Sequence, residues 1–124
     1  MKKVTVAVLA AALVLPAAAS AQRVDKAEDI QADLRCMLAM YATMRNPQLA
    51  QAAGASSLYF AGRIEGREPA FDFTAGLKRE AEKMSNSDYA FNAKRCFDEI
   101  RIKNDALKAA AASGLQSNKR GVGN

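Results

Sequence analysis

The side chains that usually carry out catalysis or hold metal ions are scarce in this 124-residue sequence. Histidine is absent, which removes the usual general base and the commonest ligand of zinc and haem. No CxxC, CxxCH or GxSxG motif occurs, and Ser56 and Ser57, which fall in a predicted helix, do not belong to a Ser-x-x-Lys pattern. We therefore predict that the protein is not an enzyme and binds no cofactor.

Three methionines close to a cysteine form the most suggestive local cluster. Met37, Met40 and Met44 follow Cys36 on one predicted helix, and soft sulfur ligands on one helix could hold Cu(I). Methionine is also a flexible filler of apolar cores, and a disulfide would use up Cys36. We favour the core role and predict no metal site.

The segment 57–69 is the most distinctive part of the chain. Arg63 and Arg67 stand one helical turn apart and could form a fork for a carboxylate or a phosphate, with Tyr59 beside them. The glycines here do not make a phosphate-binding loop, because no strand precedes them. Gly62 costs a helix about 1 kcal/mol relative to alanine, so we expect something to approach it closely. The segment predicts an interaction surface that includes Tyr59, Arg63 and Arg67.

A structural role for the same segment is the stronger alternative. In that interpretation Phe60 and Ile64 fill the core, and Gly66 ends the helix in a left-handed conformation. The two arginines then pair with nearby acids such as Glu68 or Asp72.

The first 21 residues have the features of a secretory signal. A short basic start is followed by an apolar stretch over residues 4–15, and Ala19 and Ala21 offer the small side chains that signal peptidase needs. The stretch is too short to span a bilayer. We predict a cleaved signal peptide over 1–21, no stable membrane anchor, and export by the general secretory route to the periplasm, with full secretion as the alternative.

Both cysteines lie after the signal and stand 60 positions apart. An even cysteine count in an exported chain predicts a disulfide between Cys36 and Cys96. Closing a loop of that size stabilises a fold by about 4 kcal/mol in the chain-entropy model. Metal ligation by two lone thiols is the weaker alternative.

The charge balance argues against nucleic acid as a partner. Of the 18 Lys and Arg residues, Lys2 and Lys3 leave with the signal, so 16 basic residues face 13 acidic ones. Nucleic-acid binding needs a denser basic face than this excess provides.

After the signal, apolar spacing predicts an all-α fold, and no segment alternates as a strand does. We expect a small four-helix domain over residues 22–112, closed by the disulfide, and a disordered C-terminal tail over 113–124. Asp25, Asn46 and Asp72 are the expected helix N-caps. The predicted helices cover 25–44, 47–65, 73–84 and 88–112.

Apolar stripes predict the buried faces of the first and last helices. The first stripe contains Ile30, Leu34, Met37, Leu38, Tyr41 and Met44, with Cys36 and Met40 at its edge. The last contains Tyr89, Ala93, Cys96, Ile100, Leu107 and Ala111. Phe91 and Ile102 point away from the last stripe, which predicts a second contact surface or a homodimer face.

Three short segments carry a family resemblance: Asp33-Leu34-Arg35-Cys36, residues 57–63 and Arg95-Cys96. In these the chain resembles a group of small exported proteins of alphaproteobacteria, the sphingomonads especially. The group shares a signal peptide, a cysteine in the first helix, an aromatic-Gly-Arg segment in the second and a cysteine in the last. The similarity covers most of residues 27–110 and implies a fold and a compartment, but no function.

In size and architecture alone, the chain also resembles the HdeA-type periplasmic acid-stress chaperones. That resemblance implies that acid, by neutralising the 13 carboxylates, would leave positive side chains to repel one another and expose apolar surface to client proteins. Our expectation is a non-catalytic protein that binds another protein, an envelope component or a small ligand, with the acid- or stress-activated chaperone as the alternative.

Overall fold

The computed structural model describes the backbone of residues 17–121, together with the side chains of residue 23 and residues 25–116. Within residues 17–121 the chain forms four helices and no strand, so the predicted all-α, four-helix class is confirmed. The helices are α1 (Ala17–Thr43), α2 (Ala50–Arg67), α3 (Phe73–Ala81) and α4 (Asn86–Gly121). Residues 1–16, which hold most of the predicted signal peptide, and residues 122–124 lie outside the described residues.

The helix α1 is the centre of the fold. It packs against α2, α3 and α4, whereas α3 packs on α1 alone and α2 has little contact with α4. Cys36 and Met40, expected at the edge of the apolar stripe, are therefore fully buried, and Tyr41, expected inside it, is exposed. A single stripe does not describe a helix that has three neighbours.

Two of the predicted helix starts are wrong. The helix α1 already includes residues 17–24, ahead of the predicted start at Asp25, and the alanines at positions 17–19 and 21 favour helix there. The helix α2 begins at Ala50, and Asn46 instead stabilises the turn before it, where its side-chain oxygen accepts from the Gln48 amide at 3.0 Å.

The predicted left-handed cap at Gly66 is also wrong. No described glycine has a positive φ. The helix α2 continues through Gly66 to Arg67 and is capped by Glu68, whose amide donates to the Ile64 carbonyl at 2.8 Å.

The starts of α3 and α4 are fixed by side-chain caps. The Asp72 carboxylate accepts from the Ala75 amide at 3.0 Å, as predicted, although α3 ends at Ala81 rather than at Met84. At the start of α4, Asp88 in the first turn accepts from the Ser85 amide at 2.8 Å, and the Ser85 hydroxyl accepts from the Asp88 amide at 3.3 Å. This reciprocal pair is a capping box.

The helix α4 is longer than its sequence predicted. It passes the expected end at Ala112 and runs to Gly121, so the predicted disordered tail is corrected to helix over residues 113–121. The alanine run 109–112 favours propagation, and the single glycine at 114 costs only about 1 kcal/mol. With 36 residues, α4 is about 54 Å long. Every side chain over residues 101–116 is exposed, so this half of α4 projects beyond the bundle.

Two helical glycines have opposite surroundings. A Cβ added to Gly76 would lie 2.6 Å from Cζ of Phe71, whose ring is held edge-on against Phe73 at 5.3 Å, and 3.3 Å from Cδ1 of Leu34. A Cβ added to Gly62 would meet, apart from its own helix backbone, no atom of the described residues within 4 Å. The expectation of a close approach to Gly62 is therefore wrong for the part of the chain that the structure describes.

These surroundings predict opposite effects of the same substitution. Gly76→Ala should destabilise the fold by about 1–3 kcal/mol, because Phe71 has to move from its packed position. Gly62→Ala should stabilise the fold by up to about 1 kcal/mol, since alanine favours helix and nothing obstructs its methyl group. Urea unfolding of both variants measures this, and equal effects would contradict the packing described here.

Candidate functional site

The predicted disulfide is confirmed and joins α1 to α4. The Cα atoms of Cys36 and Cys96 lie 5.7 Å apart, and both residues are fully buried. The Arg95 guanidinium lies over the bond and donates to Cys36 Sγ at 3.1 Å and to the Ala32 carbonyl at 3.3 Å. The bond thus fixes where α4 crosses α1.

A buried carboxylate and two arginines join α1 to α2. Asp33 is only 2% exposed, and its Oδ2 lies 2.7 Å from Nη1 of Arg67 and 3.2 Å from Nε of Arg63. Arg67 also pairs with Asp29 at 3.2 Å, and Arg63 with Glu99 of α4. The predicted arginine fork therefore exists, but the carboxylate it holds belongs to the same chain, and its partners are not Glu68 or Asp72.

The Arg63 side chain is further held by aromatic rings. Its guanidinium carbon lies 5.5 Å from the ring centre of Tyr59 and 5.7 Å from that of Phe60, within the range of cation–π attraction. Partial burial lowers the pKa of Arg63, but Asp33 and Glu99 more than offset this, so the pKa lies above its usual range. Arg63 is therefore a positioning group inside the protein rather than a free anion-binding side chain.

The predicted interaction residues fall into two places. Tyr59, Arg63 and Ile102 line one open groove of about 570 Å³, together with Glu99, Lys103 and Ala106. Arg67 is turned toward Asp33 and does not line it. Phe91, 68% exposed, lines a separate groove between α1 and α4.

A more apolar groove adjoins the first and lies between α2 and the start of the projecting half of α4. We call it the α2–α4 groove. Its volume is about 490 Å³. The residues that line it are Ala52, Ala55, Ser56, Tyr59, Phe97, Ile100, Arg101, Lys103, Asn104 and Leu107.

The α2–α4 groove exists because the apolar stripe of α4 continues past the point where the bundle covers it. Ile100 is half-buried, but Leu107, on the same side of α4, is 61% exposed. Opposite it, α2 presents Ala52 and Ala55, which are too small to fill the space. The apolar spacing of α4 predicts Leu107 in the core, which is wrong. The length of the stripe beyond Cys96 is the feature of the sequence that indicates an uncovered part.

The charged residues that line the α2–α4 groove are both basic. Arg101 lies 3.7 Å from Asp98, an exposed contact one helical turn away. Lys103 lines both grooves and has no ion-pair partner among the described side chains. None of the carboxylates that the structure describes lines the α2–α4 groove.

The other chemistry-bearing residues have structural positions. The hydroxyls of Ser56 and Ser57 are buried and donate to backbone carbonyls at 2.8 and 3.1 Å, and Met37 and Met40 fill the core. The described residues contain no group of three or more Cys, Asp or Glu side chains placed to hold a metal ion.

Among helices in this part of the chain, none is both long and apolar enough to cross a membrane. No protein-family model, curated protein or solved structure matches the sequence.

A second buried carboxylate holds α3 against α1. Glu80 is 4% exposed and accepts hydrogen bonds from Gln31 at 3.0 and 3.2 Å, from Arg35 at 3.1 Å and from Lys83 at 3.1 Å. Two of these three donors belong to α1, which is the single helix that α3 packs against.

Acid affects the two buried carboxylates in opposite ways. Burial raises the pKa of Asp33, although both arginines oppose it, so its ionised form costs the fold free energy that is recovered as the pH falls through that pKa. Burial also acts to raise the pKa of Glu80, but hydrogen bonds from Gln31, Lys83 and Arg35 outweigh it and lower the pKa. The stability that ionised Glu80 supplies is full above its unfolded pKa of about 4.3 and is lost as the pH falls through its lower folded value.

Removing the Glu80 charge should therefore make the fold weaker at neutral pH and less sensitive to acid. Glu80→Gln should lower the free energy of unfolding by about 2 kcal/mol at pH 7, since charge-assisted bonds are lost, and should flatten its fall below about pH 4. Urea unfolding across pH measures both effects. The control is Glu82→Gln, a change at an exposed residue next to α3. If the free energy of unfolding of Glu80→Gln still fell below about pH 4 as steeply as that of the unmodified protein, Glu80 would not be the source of the acid sensitivity.

Proposed function

We propose that this protein is a non-catalytic binding protein of the cell envelope that receives an apolar helix of a partner protein in the α2–α4 groove. The observation that carries the proposal is the apolar stripe of α4, half-buried at Ile100 and exposed at Leu107, facing the small residues Ala52 and Ala55 across an open groove. Exposed apolar surface next to polar edges is typical of sites where proteins associate.

The shape of the groove favours a helix as its occupant. Two helices form its walls, and no sheet edge exists in residues 17–121 to which an extended peptide could add a strand. Alanines on α2 allow close approach of a helix backbone, while Phe97, Ile100 and Leu107 form a ridge that can fit between the side chains of a partner helix.

The compartment belongs to the same proposal. The signal-like residues 1–21 and the Cys36–Cys96 disulfide both support export, because disulfides persist in oxidising compartments. We place the protein in the periplasm, with secretion as the alternative, alongside the small exported sphingomonad-type proteins that it resembles.

A designed helical peptide tests the groove directly. The protein has no tryptophan, so a peptide of roughly 18 residues with a leucine stripe and one tryptophan reports binding by its own fluorescence. Leu107→Gln should weaken binding about tenfold, the effect of losing roughly 1.5 kcal/mol of apolar contact. Ala55→Phe should weaken binding as well, because its ring occupies the groove.

The matched control is Leu58→Gln. Leu58 is 76% exposed on the same helix as Ala55 but does not line the α2–α4 groove. Its loss should leave peptide binding unchanged. Equal weakening by Leu58→Gln and Leu107→Gln would contradict the assignment of the groove as the docking site. Failure of the peptide to bind the unmodified protein would contradict it as well.

A second candidate function is acid-activated chaperone activity, which the position of Glu80 favours. Once Glu80 is protonated, α3 loses charge-assisted bonds to α1, and Leu34 and Phe71 beneath it can become accessible. Near-UV circular dichroism, an apolar dye and aggregation of a client protein, followed from pH 7 to pH 2, test this function. An intact tertiary signal at pH 3 without client protection would exclude it.

A further inference from the structure

We infer that the helix received by the α2–α4 groove is acidic on its polar face, with carboxylates that pair with Lys103 and Arg101. This inference rests on the proposed function and adds the chemical class of the partner. Among the described side chains, both charged residues that line the groove are basic, and no carboxylate lines it. A partner helix with an apolar stripe flanked by acidic residues is therefore complementary to the site in shape and in charge.

The lack of a partner for Lys103 follows from the ion pairs around it. Glu99 stands four residues before Lys103 on α4, the spacing and order that favour a Glu–Lys pair on one helix. In this fold, however, Glu99 pairs with Arg63 of α2. Arg63 is itself held by Asp33 at 3.2 Å and by the rings of Tyr59 and Phe60. The network therefore assigns Glu99 to Arg63 and leaves Lys103 available at the junction of the two grooves.

The same charges argue against a second copy of this chain as the occupant. The projecting half of α4 carries three exposed large apolar residues, Ile102, Leu107 and Leu115. Its charged side chains over residues 101–116 are Arg101, Lys103 and Lys108 against Asp105 alone. A second α4 in the groove would bring like charges to Lys103 and Arg101, and such pairs are unfavourable.

Three peptides that share one leucine stripe and differ in their polar face test the inference. The polar faces consist of glutamate, glutamine or lysine, and binding is measured by peptide tryptophan fluorescence on the purified, disulfide-intact protein. The glutamate peptide should bind about fivefold more tightly than the glutamine peptide, as expected for two exposed ion pairs. The lysine peptide should bind more weakly than the glutamine peptide. The preference should shrink at about 1 M salt.

Charge reversal at Lys103 identifies the residue responsible. Lys103→Glu should weaken the glutamate peptide about tenfold and change the glutamine peptide less than about twofold. Lys78→Glu on α3 makes the same change in net charge outside the groove, so it should leave the order of the three peptides unchanged.

The outcomes separate this inference from the function on which it rests. Equal binding of all three peptides, lost in Leu107→Gln, would overturn the acidic partner and keep the docking groove. Failure of every peptide to bind would overturn both. Sedimentation that shows a dimer, dissociated by Leu107→Gln, would make a second copy the occupant and overturn the inference as well.

Discussion

The disulfide between Cys36 and Cys96 is the constraint on which the rest of the structure depends. It fixes α4 to the central helix α1 at a buried point, while α2 and α4 have little direct contact. Beyond Ile100 the apolar stripe of α4 is exposed at Leu107, and the α2–α4 groove lies between this part of α4 and α2.

A series of ion pairs links three helices beside the α2–α4 groove and contributes to its basic character. Asp33, buried on α1, holds Arg63 of α2, and Arg63 holds Glu99 of α4. These pairs fix the three helices relative to one another and also remove the carboxylate that Lys103 would otherwise meet on its own helix. The pair that helps to hold α2 against α4 therefore also leaves Lys103 without a partner on its own helix, because Glu99 is committed to Arg63.

The sequence predicted the helices and the disulfide because both have local or compositional signals. Apolar periodicity, the Asp72 cap and an even cysteine count were sufficient for these. It did not predict the groove, because Leu107 has the spacing of a core residue and only the crossing of α1 and α4 shows that it extends past the bundle. The partners of Arg63 and Arg67 were also missed. Asp33 lies 30 or more positions away from both in the chain, whereas the acids considered were near neighbours.

Residue-resolved NMR of the disulfide-intact protein, titrated with the acidic amphipathic peptide, tests the docking groove most directly. We predict that amide and methyl shifts change around Ala52 and Ala55 of α2 and around Ile100 and Leu107 of α4, while α3 is unaffected. Changes centred on the opening between α1 and α3, which Gln31 and Phe71 line, would contradict the account, as would a peptide that binds without a localised footprint.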